Sequence, residues 1–199
     1  MNDTNARLAT LIGSRICHDL ISPIGAISNG LELMGLAGQM KGPEYDLIAD
    51  SVQNAGARIR FFRIAYGAAG DQMLGRPEIM SVLTDMNHGS RVKFAWRPAD
   101  PQARADVRLA FLAMQCCEVA LPYGGTVEAF ETDGSWTVTG TGEKMAHNPD
   151  LWRLLDTRLE ETTEITPALV QFALLPLAVA DAGRPLHHEA GQRRITVSF

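Results

Sequence analysis

The sequence predicts an α+β protein in two parts, an antiparallel helical hairpin followed by an α/β sandwich. Three observations carry this expectation. Leu8, Ile12, Ile16, Leu20, Ile24, Ile27, Leu31 and Met34 fall on one side of a helix at ~100° of rotation per residue. A second amphipathic stretch opens at Pro43 after a gap of about six residues, the connection that joins antiparallel helices. Beyond Gly67-Ala68-Ala69-Gly70-Asp71 the pattern changes to short, alternating segments, so this small-residue run marks a domain boundary. The parts are residues 1–69 and 70–199.

Taken in order, Asp3 or Thr4 caps a first helix that runs to Leu36, where Gly35, Gly38 and Gly42-Pro43 end it. Pro23 lies inside it. Proline lacks the amide donor and crowds the carbonyl of Asp19, so a bend is expected just after residue 18. The second helix spans Pro43 to Tyr66, with Glu44 and Asp46 favourably placed at its positive end. Its apolar positions are Leu47, Ile48, Val52, Ala55, Ile59, Phe62 and Ile64. A hairpin leaves half its apolar surface uncovered, and two copies packed together would make a four-helix bundle, so a homodimer is expected. The pair Phe61-Phe62 and the residues Leu33, Met34 and Leu36 are assigned to the bundle core or dimer interface.

In the second part, Pro77 to Met86 reads as a short helix and Arg91 to Trp96 as a strand. Pro101 to Ala120 is an apolar-rich helix stopped by Pro122 and Gly124-Gly125. Thr126–Phe130 and Trp136–Gly140 are strands joined as a hairpin through Thr132-Asp133-Gly134. Leu151 to Leu159 reads as helix, and Thr166-Pro167 as the capped start of another ending near Ala182-Gly183. A strand from Arg194 to Phe199 closes the chain. Helices on one face of a mostly antiparallel sheet is the packing this order favours.

Composition narrows the function classes. A net charge of −5 with 46% hydrophobic residues argues against a disordered tail and against a nucleic-acid binder, which would be basic. Three cysteines, two of them the adjacent Cys116 and Cys117, build no disulfide framework, so a reducing cytoplasm is expected. The N-terminus lacks a signal-peptide pattern. The most apolar stretch, Ala168 to Ala180, holds Gln171 and Pro176 and is shorter than the ~20 residues that span a bilayer. Cys17 has no further ligands for a metal nearby, and no metal site is predicted. His187 and His188, in a polar run, read as loop or surface residues, and His88 and His147 as surface residues of turns.

The stretch that carries chemistry is Ser14 to Pro23, S-R-I-C-H-D-L-I-S-P. On the helical wheel His18 lies roughly opposite the apolar stripe. Within about 40° of it lie Leu11, Ser14, Ser22, Gly25 and Asn29, mostly small residues that let another protein approach closely. Leu11, Ile21 and Leu36 are apolar positions near the His18 side that either face a partner or pack on the second helix. Arg15, about 60° away, is either a candidate cation for a transferred phosphoryl group or a solvated arginine of the helix surface. A lone histidine on a polar helix face is most often a plain surface residue; this small-residue surround sets His18 apart.

The order of a hairpin with H-D-x-x-x-P followed by a sandwich resembles the dimerisation and ATP-binding domains of two-component sensor histidine kinases. His18-Asp19-Leu20-Ile21-Ser22-Pro23 looks like the phosphoacceptor box, with His18 the acceptor, Asp19 the adjacent acid and Pro23 the bend. The second part departs from the kinase pattern. Aligning Gly124-Gly125 puts Leu112 and Cys116 where kinases hold magnesium through asparagines, and neither is a hard oxygen ligand. Gly140-Thr141-Gly142 aligns with the glycine-x-glycine, but Val138 stands where an aspartate would meet adenine. Glu164 to Ala182 reads as helix in place of a glycine-rich lid. The sandwich is thus a degenerate ATPase-like domain, with Gly140-x-Gly142 at most a weak phosphate cradle.

An intact histidine without nucleotide chemistry resembles the ChpT-type histidine phosphotransferases. That resemblance implies a dimeric, cytoplasmic relay in which His18 takes phosphoryl from the aspartyl phosphate of one receiver domain, such as that of an upstream hybrid kinase, and passes it to another. It implies no cofactor of its own, with Mg²⁺ supplied on the receiver, and neither nucleic-acid nor membrane partners. Competing readings are a non-catalytic pseudo-kinase that sequesters a response regulator and an unconventional ATP-dependent kinase.

Overall fold

A computed structural model of the chain describes residues 3–36, 42–68, 70–156 and 165–199. The first helix, α1 (Asp3–Leu36), and the second, α2 (Pro43–Ala65), match the expected hairpin. Pro43 occupies the first turn of α2, where its missing amide would have had no partner, and Glu44 and Asp46 meet the positive end of the helix dipole. The helices pack antiparallel. Tyr45 Oη donates to the Leu31 carbonyl near the connection, a Cβ on Gly56 would lie 3.6 Å from Ile24 Cγ2, and one on Gly13 would lie 3.6 Å from the Tyr66 Cβ at the far end.

The second part runs β1 (Met73–Leu74), α3 (Arg76–Asn87), β2 (Val92–Trp96), β3 (Gln102–Ala103), α4 (Arg104–Val119), β4 (Gly125–Thr132), β5 (Ser135–Thr141), α5 (Pro149–Trp152), α6 (Gln171–Asp181), β6 (His187–Ala190) and β7 (Arg194–Ser198). Five strands form one sheet in the order β2-β4-β5-β7-β6. The β2–β4 pair is parallel and the others are antiparallel. Alternation decides the buried face: Val127 and Ala129, Trp136 and Val138, and Ile195 and Val197 are buried, while Phe130 between strand ends is exposed. The β4–β5 connection is the expected hairpin. Asp133 and Gly134 have φ of 51° and 82°, and Thr132 pairs with Ser135, the two-residue turn in which both central residues need positive φ.

The core is continuous from hairpin to sandwich. Phe61 on α2 is fully buried and stacks on Phe111 of α4, with ring centroids 4.4 Å apart and planes 13° apart. It also lies 6.0 Å from the Phe94 ring of β2. Ala57, Ile64 and Ala65 join the same core. Phe61 therefore fills the sandwich interior and not the bundle core expected from sequence. The reason is that α2 has two apolar directions, one toward α1 and one toward α4, and a single wheel cannot assign them. Phe62 is half-buried against Tyr66.

Other expectations are revised. His187 and His188 lie on β6, an edge strand paired with β7, and not in a loop. His188 Nε2 is 3.1 Å from Asp156 Oδ2. The segment after Asn148 is a single helical turn, α5, continued as a 3-10 turn to Leu155; the rest of the expected helix, residues 157–164, lies outside the described residues. Thr166 makes no side-chain cap, and a 3-10 turn at Pro167–Leu169 precedes α6. The helix expected from Pro101 begins only at Arg104, because Gln102–Ala103 pairs with Met73–Leu74. His88 and His147 are exposed, as expected.

Candidate functional site

The H-D-x-x-x-P box lies within α1, which is helical throughout from Asp3 to Leu36. The side chains of Leu11, Ser14, Arg15, His18, Asp19 and Pro23 lie outside the described residues. Of the other residues expected to face a partner, Ser22 and Asn29 are exposed, and Ile21 and Gly25 are half-buried. They bring two exposed polar positions within one to three turns of the His18 backbone. Leu36 is also exposed.

The contact layers between α1 and α2 fix the level of this box. Ile24 meets Gly56, and Gly13 meets Tyr66. Seven residues make nearly two turns and return to the same face. Two turns along each helix from the Ile24–Gly56 layer, in antiparallel directions, lie Cys17 and Arg63. Cys17 is buried, 7% exposed. Burial pushes its thiol up, and the positive charge of Arg63 opposes this in part. The protonated thiol is a poor nucleophile.

Below this level the hairpin is anchored to the sandwich. Arg104, at the start of α4, donates from Nη2 to the Arg63 carbonyl at 2.9 Å and from Nε to the Ala68 carbonyl at 3.2 Å, satisfying acceptors at the end of α2 that have no helical partner. Burial and the neighbouring Arg63 charge lower the Arg104 guanidinium. Tyr66 Oη donates to Gln115 Oε1 at 2.6 Å, and burial pushes the phenol up to about 12 against that hydrogen bond. Sequence reading missed Arg104 and Gln115 because their partners are 36 or more residues away and no local pattern marks such a contact.

The positions aligned with nucleotide ligands are packed solid. Leu112, Cys116 and Val138 are fully buried in the apolar core. Burial raises the Cys116 thiol well above its ordinary value and pushes Cys117 up to about 12. The glycines of Gly140-x-Gly142 serve packing and not phosphate binding. A Cβ on Gly140 would lie 3.2 Å from the Cys117 Cβ, and one on Gly142 would lie 2.7 Å from Leu121 Cδ2. A cleft of about 420 Å³ does open where α2 meets α4, lined by Arg58, Arg91 and Glu118 among others, but none of Leu112, Cys116 or Val138 borders it. Restoring the asparagines makes a test. Leu112→Asn with Cys116→Asn is expected to confer no ATP binding in a calorimetric titration and to cost about 3 kcal/mol or more in thermal melting, because each buries an amide among apolar neighbours.

A helical hairpin carrying a histidine box, fixed to a sandwich whose interior leaves no room at these positions, is the frame of a phosphotransfer protein. The comparisons give the family. Residues 76–194 match the model of the histidine phosphotransferase C-terminal domain, and the chain belongs to that family. It is 35% identical over 156 residues to the protein phosphotransferase ChpT of Brucella abortus (strain 2308), an alignment covering 74% of this chain and 73% of that one. A bacterial phosphotransferase solved at 1.7 Å superposes with a TM-score of 0.69 at 30% identity, covering 100% of this chain and 97% of its own. Among the described residues no helix is long and apolar enough to cross a membrane.

Proposed function

We propose that this histidine phosphotransferase relays phosphoryl groups between receiver-domain aspartates through His18. The observation that carries the reading is the His18-Asp19-x-x-x-Pro23 box on the first helix of a hairpin built onto the family's sandwich. The receiver supplies the acyl phosphate, the acid pocket and Mg²⁺. This chain supplies an imidazole held in line with phosphorus, and the catalysis is positioning plus electrostatics. The neutral ring attacks through an unblocked nitrogen, Nε2. The N–P bond forms as the acyl O–P bond breaks, and the receiver carboxylate leaves with the electron pair. Nδ1 keeps its proton, so the product ring is cationic until that proton departs. Asp19, the next residue on the helix, hydrogen-bonds locally or orients the receiver, and Leu11, Ser14, Arg15, Ile21, Ser22, Gly25 and Asn29 form the docking surface.

The test is label transfer: incubation with a ³²P-labelled receiver should place acid-labile, alkali-stable label on this protein, and no uptake from any receiver of the source organism would overturn the reading. A non-catalytic module that sequesters a regulator is not favoured by membership of a phosphotransferase family.

The dimer belongs to the same proposal. Leu20, Ile27 and Met34 on α1 and Leu47 and Ile48 on α2 are 38–68% exposed, an apolar stripe that water would otherwise cover. A second copy supplies the missing half of a four-helix bundle through a two-fold contact. Ile27→Asp would place two like charges near each other across that contact. In sedimentation equilibrium it should weaken self-association at least tenfold; a wild-type chain that is monomeric at micromolar concentration would overturn the dimer.

A further inference from the structure

We infer that Arg63 of α2 is the cation that holds the phosphoryl group during its transfer to and from His18. The inference rests on His18 being the acceptor. Arg63 shares its layer with Cys17, two turns from the Ile24–Gly56 contact on each helix. That layer is closed at Cys17, which is buried, yet Arg63 itself is exposed. Its long side chain therefore leaves the helix contact and runs out to solvent at the level where residue 18 follows residue 17, 1.5 Å along the axis and about 100° around it. Among the described residues Arg63 makes no ion pair; Arg60, one turn earlier, is committed to Asp85 at 2.5 Å. Arg104 is engaged with backbone carbonyls. A guanidinium at the level of the acceptor, with no carboxylate partner among the described residues, matches what a dianionic phosphoryl group needs, a positive charge and two parallel N–H donors.

Arg63 acts on a group that arrives with the receiver, so its effect falls on transfer and not on docking. Single-turnover transfer is measured from a ³²P-labelled receiver over a range of receiver concentrations, for wild type, Arg63→Gln and Arg63→Lys. The expected result is a rate at saturating receiver at least tenfold lower in Arg63→Gln, with the half-saturating concentration changed less than twofold, and partial recovery in Arg63→Lys. A merely structural arginine would change docking or melting and leave the saturated rate alone. An unchanged saturated rate in Arg63→Gln overturns the inference while leaving His18 as acceptor. Label that persists in His18→Ala overturns both.

Discussion

His18→Ala is expected to take up no phosphoryl group from any receiver, at any time point, while its melting curve stays within about 0.5 kcal/mol of wild type, the range of an ordinary surface substitution. The expectation is absolute for a chemical reason. A relay needs an acceptor whose phosphorylated form keeps a high transfer potential, because the group must leave again for another carboxylate. A phosphorylated serine would be a trap. Imidazole gives a phosphoramidate that breaks as readily as it forms, and its acid lability separates it from a phosphoester in the same gel. Ser14 and Ser22 flank His18 one turn away on either side, so label that survives acid in His18→Ala would reveal a hydroxyl acceptor. Cys17 is no substitute, since burial keeps its thiol protonated. His18→Gln retains hydrogen-bonding capacity without a nucleophilic nitrogen and should be equally inactive, which excludes a purely docking role for the ring.

Sequence made most of this frame legible, and the misses have physical causes. The hairpin read correctly because Leu20, Ile24, Ile27 and Leu31 repeat at helical spacing over many turns, and the β4–β5 hairpin because Asp133-Gly134 admits positive φ at both positions. Edge strand β6 was missed because His187-His188-Glu189-Ala190 carries no apolar alternation; an edge strand here is held by backbone pairing to β7 and buries little. The pairs Met73–Ala103 and Leu74–Gln102 are too short to leave a pattern. The histidine box, proposed as the acceptor, stood out through the small residues around it, but the cation proposed opposite it did not. Arg63 becomes visible once the antiparallel register of α1 and α2 is known, and that register depends on contacts between residues some 30 to 50 positions apart.

Phe61→Ala carries a large expected stability loss, about 3–5 kcal/mol for truncating a fully buried phenylalanine. Its placement makes the loss diagnostic. In the bundle core or dimer interface, truncation would loosen the hairpin and weaken self-association, leaving the sandwich alone. Stacked on Phe111 and facing Phe94, it should instead lower the melting of the sandwich. All three tryptophans, Trp96, Trp136 and Trp152, belong to that part of the chain, so their fluorescence reports it separately from helical circular dichroism. Trp96 lies 6.2 Å from the Phe111 ring, one contact removed from the new cavity. The tryptophan transition should therefore fall by roughly 10 °C, taking about 2–4 °C per kcal/mol for a chain of this size, and the helical signal should fall with it because α2 is part of the same core. A tryptophan transition that stays in place while self-association weakens would return Phe61 to the bundle. Transfer should suffer as well, since Arg104 and Phe61 together hold the end of α2 that sets the level of Arg63 against the acceptor box.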